Sequence, residues 1–204
     1  MRVIARLDIK NENVIKGINF EGLRVVGSPN NLAKKYYKDG ADELIYSDCV
    51  ASLYGRNNLA KLVENAAKDI FIPITVAGGI RSVNDADLLM KNGSDKIAIN
   101  TELFKNKELG KSLIKKYGSQ SIMLSIQAKK ISPSSWEAYI NFGRDKTNMD
   151  VVEWAKEMLK HNFGELLLTS IDADGLSNGF DVELYENVCK NINIPIIACG
   201  GFGK

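Results

Sequence analysis

Two closely similar segments, IPITVAGG at Ile72–Gly79 and IPIIACGG at Ile194–Gly201, are the strongest indication of the fold. They lie 122 residues apart (194 − 72), and DELIYSD at Asp42–Asp48 matches GELLLTS at Gly164–Ser170 with the same offset (164 − 42). A repeat that spans several strand–helix units predicts a barrel built from two similar halves.

Around these two segments, short β-rich runs alternate with amphipathic helical stretches, which predicts βαβ units and a parallel sheet. The predicted strands are Val3–Leu7, Glu43–Tyr46, Pro73–Val76, Lys96–Ile99, Ile122–Ile126, Glu165–Thr169 and Ile194–Ala198. The clearest predicted helices are Pro29–Lys38, Asn58–Lys68, Val83–Asn92, Glu108–Tyr117, Met149–His161 and Val182–Asn191.

Each unit takes about 30 residues, which is the spacing of a TIM (β/α)8 barrel. A doubly wound open sheet would usually carry a GxGxxG turn after its first strand, and the sequence has none there. We therefore expect one (β/α) barrel domain over residues 1–204. Seven strands are visible before the sequence reaches GGFGK, so we expect an incomplete barrel that lacks the eighth βα unit.

Composition excludes several classes of function. The net charge is +2, and aromatic residues do not interleave with basic clusters, so no nucleic-acid partner is expected. The charged start MRVIARLDIK is not a signal peptide, and no apolar run reaches the ~20 residues of a membrane span. Cys49, Cys189 and Cys199 lack CxxC spacing, which indicates reduced thiols and a cytoplasmic location. With His161 as its single histidine, the chain is expected to use no metal and no cofactor.

Side chains two apart share a face of a strand, and this places polar groups at both ends of the predicted lumen. The inward-facing sets are Arg2, Ile4, Arg6 and Asp8 in the first strand, Lys96, Ala98 and Asn100 in the fourth, and Glu165, Leu167 and Thr169 in the sixth. Charges mark the strand starts. The predicted layer at the strand ends contains Asp8, Asp48, Asn100, Gln127, Thr169 and Ser170, with Asp172, Asp174 and Gly175 in a following loop. Barrel enzymes keep their chemistry at these C-terminal ends.

Asp8 is a candidate general acid or base, because it ends a strand and faces a cavity. It could equally cap a loop or pair with Lys10 or Lys16. Lys16 suits an anionic substrate, although a lone lysine is more often a solvated loop residue.

The glycine pairs Gly78–Gly79 and Gly200–Gly201 each follow a strand and precede a helix. Such turns let phosphate oxygens approach backbone N–H groups near a helix N-terminus. They also occur as plain tight turns. Two pairs at equivalent positions favour two phosphate sites.

Several longer motifs resemble one family. They are LDIKNENVIKGINFEGLR, GADELIYSD, FIPITVAGGIRS, GSDKIAINT, GSQSIMLSI and GELLLTSIDADGLSNGFD, and together they span nearly the whole chain. This combination resembles the cyclase subunit of imidazole glycerol phosphate synthase. The resemblance implies a barrel that receives ammonia from a glutaminase partner. It also implies a phosphorylated small-molecule substrate, a bisphosphorylated ribulosyl-formimino-aminoimidazole carboxamide nucleotide, which is converted in histidine biosynthesis to imidazole glycerol phosphate and an aminoimidazole carboxamide ribotide.

The resemblance implies roles for individual residues. Asp8 corresponds to the family's first catalytic aspartate, and polar residues of the active site correspond to Lys16, Asp48 and Asn100. One phosphate site corresponds to Gly79 and Thr101, and part of the other to Asp174, Gly175 and Gly201. A charged ring at the ammonia entrance corresponds to Arg2, Glu43, Lys96 and Glu165.

Two positions depart from the family. Gln127 stands where a second catalytic aspartate ends the fifth strand, and glutamine cannot exchange a proton at neutral pH. Arg6 stands in the lumen where the family usually has a small residue, and its charge would favour an ionised Asp8 or bind an anion. Both departures favour an alternative: a diverged paralogue that passes ammonia to another acceptor, such as a surface-polysaccharide sugar. The expected missing unit favours a third, an inactive barrel fragment that only binds a partner.

Overall fold

The computed structural model describes residues 1–51 and 59–203, in which eleven strands form one curled sheet. The strands are β1 (Ile4–Lys10), β2 (Asn13–Ile18), β3 (Glu21–Gly27), β4 (Glu43–Asp48), β5 (Ile74–Ala77), β6 (Lys96–Ile99), β7 (Ile122–Ser132), β8 (Ser135–Ile140), β9 (Asp145–Asp150), β10 (Glu165–Ser170) and β11 (Ile196–Cys199). Seven of these described strands pair in parallel, in the order β11-β10-β7-β6-β5-β4-β1. The sheet is that of a TIM-type barrel, as predicted.

The two halves have the same register. Leu44 pairs with Ile74 between β4 and β5, and Leu166 pairs with Ile196 between β10 and β11. Each residue of the first pair lies 122 residues before its counterpart in the second pair. The same offset relates two glycines in left-handed conformation, Gly78 (φ 94°) and Gly200 (φ 95°). A Cβ atom on either glycine would lie 2.5 Å from a carbonyl oxygen, which explains why both turns require glycine.

Seven α-helices are described. They are α1 (Pro29–Lys38), α2 (Leu59–Ala67), α3 (Val83–Lys91), α4 (Thr101–Lys105), α5 (Glu108–Tyr117), α6 (Val151–Leu159) and α7 (Val182–Asn191). Three predicted helices are confirmed to the residue: α1, α5 and α7. The predicted second helix begins at Asn58, which lies outside the described residues. The predicted helix Met149–His161 starts later, at Val151, because Met149 and Asp150 belong to β9 and the Asp150 carboxylate caps the helix.

Two β-hairpins are absent from the sequence-based prediction. After β1 the chain forms the antiparallel pair β2–β3, and after β7 it forms β8–β9. The predicted strand Ile122–Ile126 therefore continues to Ser132. The two hairpins occupy equivalent places in the two halves, and both lie over the C-terminal ends of the parallel strands.

Apolar side chains form separate layers outside and inside the sheet. The outer cluster lies between sheet and helices and includes Leu44, Leu89 and Trp154. The inner cluster fills the lumen with Ile4, Ile45, Ala77, Ala98, Met123, Leu167, Ile197 and Cys199. Ile4, Ala98 and Leu167 are on the face predicted from strand alternation. Within the described residues no strand pairs with both β11 and β1.

Candidate functional site

Four charged side chains converge at the N-terminal end of the lumen. Lys96 Nζ lies 2.8 Å from Glu165 Oε2 and 3.3 Å from Glu43 Oε2, and Arg2 hydrogen-bonds both carboxylates. The prediction that Arg2, Glu43, Lys96 and Glu165 meet here is confirmed; we call these four residues the lower ring. Burial opposes the charge of Glu165, yet the hydrogen bonds from Lys96 and Arg2 lower the pKa of this carboxyl below its ordinary value. The ring is therefore a closed network of two cations and two anions.

At the other end of β1, Asp8 is held by Arg6. Asp8 is 5% exposed, and its Oδ1 accepts a hydrogen bond from Arg6 Nε and lies 2.8 Å from Arg6 Nη2. Arg6 Nη1 also donates to Thr169 Oγ1 at 3.1 Å. Burial alone would lower the pKa of Arg6, but the nearby Asp8 carboxylate and further acidic groups raise it well above its usual range. The Arg6 guanidinium is therefore a permanent positive charge inside the lumen.

Lys16 connects Asp8 to the loop that follows β10. Its Nζ lies 2.6 Å from Asp174 Oδ1 and 3.8 Å from Asp8 Oδ2. Asp174 is 3% exposed, so its charge needs this partner. Arg6, Asp8, Lys16 and Asp174 thus alternate in sign, and the structure brings together these site residues from β1, β2 and the β10 loop.

A pocket opens beside Arg6 on the first half of the barrel. It is lined by the first glycine turn, the start of α4 and polar side chains of the lumen, among them Asp48, Gly78, Gly79, Asn100, Thr101 and Gln127. Asp48 Oδ1 accepts the backbone N–H groups of Val50 and Ala51, so this carboxylate also shapes the loop after β4. These six predicted site residues lie together around one cavity.

The second glycine turn is packed more tightly and does not line this pocket. The backbone N–H of Gly179 donates to the carbonyl of Gly201 at 2.8 Å, and Gly175 lies against the carbonyl of Gly17 in β2. Ser170 is fully buried, and its hydroxyl donates to Asp181 Oδ2 at 3.1 Å on the helix side of the sheet. The structure therefore does not bring the Ser170 side chain, or the turn at Gly200, to the described pocket.

Both amide side chains at the pocket contact the β8–β9 hairpin. Gln127 Oε1 accepts the backbone N–H of Gly143 at 2.8 Å, and Asn100 Nδ2 donates to the carbonyl of Tyr139 at 3.0 Å. Thr101 Oγ1 accepts the backbone N–H of Asn141 at 3.0 Å. These contacts fasten the hairpin to the ends of β6 and β7.

Two phenylalanines that the strand and motif patterns do not predict cover the lumen. Phe20, at the tip of β2–β3, stacks on Phe142, at the tip of β8–β9, with ring centroids 4.3 Å apart and planes at 15°. We call Phe20 and Phe142 the aromatic cover. They pack in one buried cluster with Ile15, Cys49 and Ile171. A signal exists in the sequence: INF occurs at both Ile18–Phe20 and Ile140–Phe142, with the offset of the main repeat (140 − 18 = 122).

The described residues show neither metal cluster nor membrane helix. In residues 1–51 and 59–203, no group of three or more His, Cys, Asp or Glu side chains is placed to hold a metal ion. No helix in the same ranges is long and apolar enough to cross a membrane.

Comparison with known proteins gives one consistent match. A family model described as histidine biosynthesis protein matches residues 2–204. A Legionella pneumophila protein named imidazole glycerol phosphate synthase subunit HisF is 55% identical over 204 residues, which is 100% of this chain and 96% of that relative. Proteins of the same name are 44% identical in Bacillus cereus, over 99% of this chain and 80% of the relative, and 44% identical in Corynebacterium glutamicum, over 100% and 81%.

Proposed function

The chain belongs to the histidine biosynthesis protein family, and we propose that it is a cyclase subunit of imidazole glycerol phosphate synthase. In this role it is a lyase-type enzyme that uses ammonia from a glutaminase subunit. It converts the bisphosphorylated ribulosyl-formimino-aminoimidazole carboxamide nucleotide to imidazole glycerol phosphate in the cytoplasm. One observation carries the proposal: a single apolar lumen lies between the lower ring and the Asp8 carboxylate.

The lower ring suits the entrance of ammonia. Its two positive and two negative side chains pair with one another, so the entrance has no net charge. An entrance of this kind suits a neutral molecule such as ammonia. The layer above it, with Ala98, Met123 and Leu167, is apolar and favours neutral ammonia over ammonium. In this proposal a glutaminase docks against the N-terminal ends of the strands, and ammonia travels along the lumen to Asp8.

The C-terminal end suits a substrate with anionic ends. Asp8 acts as the acid/base, with Lys16 beside it. One phosphate binds at Gly78, Gly79 and Thr101, which line the pocket with Asp48 and Asn100. The other binds near Asp174, Gly175, Gly200 and Gly201, flanked by Thr169 and Ser170 on β10; contacts there are closed in this structure, so this site must open on binding.

The test is product formation by the purified chain. The chain is incubated with the bisphosphorylated substrate and an ammonium salt, and imidazole glycerol phosphate is identified by chromatography and mass spectrometry. A second reaction replaces the ammonium salt by glutamine and a glutaminase subunit. Product in both reactions supports the proposal, and no product with substrate and saturating ammonium contradicts it.

A second candidate, delivery of ammonia to another acceptor such as a surface-polysaccharide sugar, is favoured by the contacts of Gln127 and Arg6. Gln127 has an amide in place of a carboxylate, and it accepts a hydrogen bond from the backbone N–H of Gly143. Arg6 donates a hydrogen bond to the Asp8 carboxylate. On this candidate the chain still stimulates a glutaminase, but neither the wild-type chain nor Gln127→Asp forms imidazole glycerol phosphate. Neighbouring genes separate the two candidates as well: histidine genes support the first, and sugar-nucleotide genes the second.

A further inference from the structure

The aromatic cover closes the lumen by joining equivalent turns of the two halves. Asn19 and Phe20 have φ values of 52° and 66°, and Asn141 and Phe142 have 53° and 58°, so both turns place two consecutive residues in the left-handed region. This backbone is unfavourable for phenylalanine and persists only where the surroundings compensate for it. The two rings compensate for each other, since they are 8% and 7% exposed and stack face to face.

Arg6 touches both the cover and Asp8. Its guanidinium carbon lies 5.6 Å from the centroid of the Phe20 ring, within the range of a cation–π contact. The same guanidinium holds Asp8 Oδ1 through two nitrogens at 2.8 Å. Phe20 and Asp8 lie in different elements, a hairpin tip and a sheet strand, and Arg6 is a direct bridge between them.

Lys16 makes a parallel connection from the same hairpin. It lies on β2, and its Nζ reaches Asp174 at 2.6 Å and Asp8 at 3.8 Å. Any movement that lifts the β2–β3 hairpin from the lumen therefore removes the Phe20 ring from Arg6 and the Lys16 ammonium from Asp8 together. The environment of the Asp8 carboxylate depends on whether the cover is closed.

We propose that Arg6 is a positioning residue that couples closure of the aromatic cover to the placement of Asp8. With the cover closed, Arg6 and Lys16 hold the carboxylate from two sides. With the cover open, Asp8 loses Lys16 and Arg6 loses Phe20. The inference rests on the proposed function for the role of Asp8, but the coupling itself is a property of the fold and is measured without substrate.

Cys49 provides a native probe for opening of the cover. Its thiol is 1% exposed and packs in the same cluster as Phe20 and Phe142, whereas Cys189 is exposed. Alkylation with N-ethylmaleimide, resolved by site with mass spectrometry, gives the rate at Cys49 relative to the internal reference Cys189. Local opening governs modification of such a buried group.

Arg6→Ala is expected to raise the alkylation rate of Cys49, relative to Cys189, by about tenfold. This is the order of magnitude expected when the buried cation–π contact with Phe20 and the ion pair with Asp8 are both lost. Removal of a nearby positive charge by itself disfavours the thiolate, so faster modification reports opening. Arg6→Lys keeps the charge without the planar fork and should give an intermediate rate. The matched control is Arg24→Ala, at an exposed position of β3, which should change the rate by less than about twofold.

Coupling must also act in the opposite direction, because energetic coupling is reciprocal. Asp8→Asn should therefore speed hydrogen exchange in the β2–β3 tip that carries Phe20, at the backbone N–H of Asn19, which donates to the carbonyl of Asp174. Unchanged Cys49 alkylation in both Arg6 variants, or unchanged exchange in Asp8→Asn, would overturn the inference. Circular dichroism of each variant confirms that it is folded before comparison.

A turnover measurement completes the test. Arg6→Ala should lower kcat more than it raises KM, and added guanidinium should restore part of kcat where urea, a neutral planar molecule of similar shape, does not. Equal rescue by both solutes, or none by guanidinium while wild type turns over, contradicts positioning by the charge. A wild-type chain without turnover contradicts the proposed function instead, and the alkylation and exchange rates still decide the coupling.

Discussion

Gln127 Oε1 accepts a hydrogen bond of 2.8 Å from the backbone N–H of Gly143, so this side chain fastens the β8–β9 hairpin to β7. Gln127 is the structural equivalent of Asp8 in the other half of the sheet. Ile4 in β1 pairs with Glu43, and Met123 in β7 pairs with Glu165, the repeat equivalent of Glu43. Asp8 and Gln127 each lie four residues after these paired positions. One half thus ends in a carboxylate held by arginine, and the other in an amide held by backbone.

The first prediction concerns this amide. If cyclisation needs two acid/base groups, the wild-type chain forms imidazole glycerol phosphate slowly, since one such group typically contributes about 10²–10⁴-fold in rate. Gln127→Asp should raise kcat with saturating ammonium. Gln127→Asn, which keeps an amide of the aspartate's length, is the matched control and should not. A wild-type kcat already within the ordinary enzyme range, about 1–10³ per second, would show that no second carboxylate is needed.

The second prediction concerns pH and the lower ring. Glu165→Gln removes one of the two carboxylates that Lys96 and Arg2 share. It should reduce the free energy of unfolding at pH 7 by about 2–3 kcal/mol, less than for a fully buried pair because Arg2 is partly exposed. Since the folded state lowers the pKa of Glu165, its contribution is present above the pKa of the unfolded chain, about 4.3, and is lost as pH falls through the folded value.

Urea unfolding at several pH values checks this prediction. The difference between wild type and Glu165→Gln should shrink below about pH 4, the region of the ordinary glutamate pKa. Glu12→Gln, at an exposed position after β1, serves as control and should show little difference at any pH. A Glu165→Gln difference that stays constant down to strong acid would mean that the ring does not stabilise the ionised carboxylate.

The seven parallel strands could be predicted because short β-rich runs alternate with amphipathic helical stretches, and the two halves because the segments at Ile72–Gly79 and Ile194–Gly201 are closely similar. The hairpins could not. A two-residue hairpin turn normally carries Asn-Gly or Asp-Gly, whereas the β2–β3 turn between Ile18 and Glu21 carries Asn-Phe. The β8–β9 loop is longer, residues 141–144 between Ile140 and Asp145, and begins with the same Asn-Phe pair. Stacking on Phe142 across the lumen compensates for the positive φ of Phe20. Such a long-range cause is invisible in local turn chemistry.

Ser170 illustrates a second limit. Its place at the end of a strand, next to Thr169, predicts a position in the upper polar layer, although adjacent strand residues face opposite sides of a sheet. The Thr169 hydroxyl meets Arg6 in the lumen, and the Ser170 hydroxyl meets Asp181 at the cap of α7. The position of the strand's C-terminal end could be predicted from the sequence. Which of its last two side chains points into the lumen depends on the alternation of the strand, and only Thr169 does.

The third prediction concerns the open side of the sheet. Within residues 1–51 and 59–203, β11 pairs with β10 alone, and Ala198 in β11 is exposed. Unpaired strand edges favour pairing between molecules. We expect the 204-residue chain to self-associate with rising concentration in analytical ultracentrifugation.

A charge at the edge should weaken this association, because lysine is a common protection of edge strands. Ala198→Lys is expected to shift the chain towards monomer. Leu88→Lys adds the same charge on α3, away from the edge, and should leave association unchanged. A wild-type chain that is monomeric at every concentration and melts cooperatively at high temperature would refute the prediction.

In the proposed function, Asp8 performs acid/base chemistry on a substrate that meets ammonia in this lumen. The most direct measurement is single-turnover formation of imidazole glycerol phosphate from the bisphosphorylated substrate and saturating ammonium, compared between the wild-type chain and Asp8→Asn. Asparagine keeps the size of the side chain but cannot exchange a proton. We predict product with Asp8, faster in the Gln127→Asp background, and a rate at least about 10²-fold lower with Asp8→Asn in either background. Equal rates for the wild-type and Asp8→Asn chains, both folded, would contradict the claim.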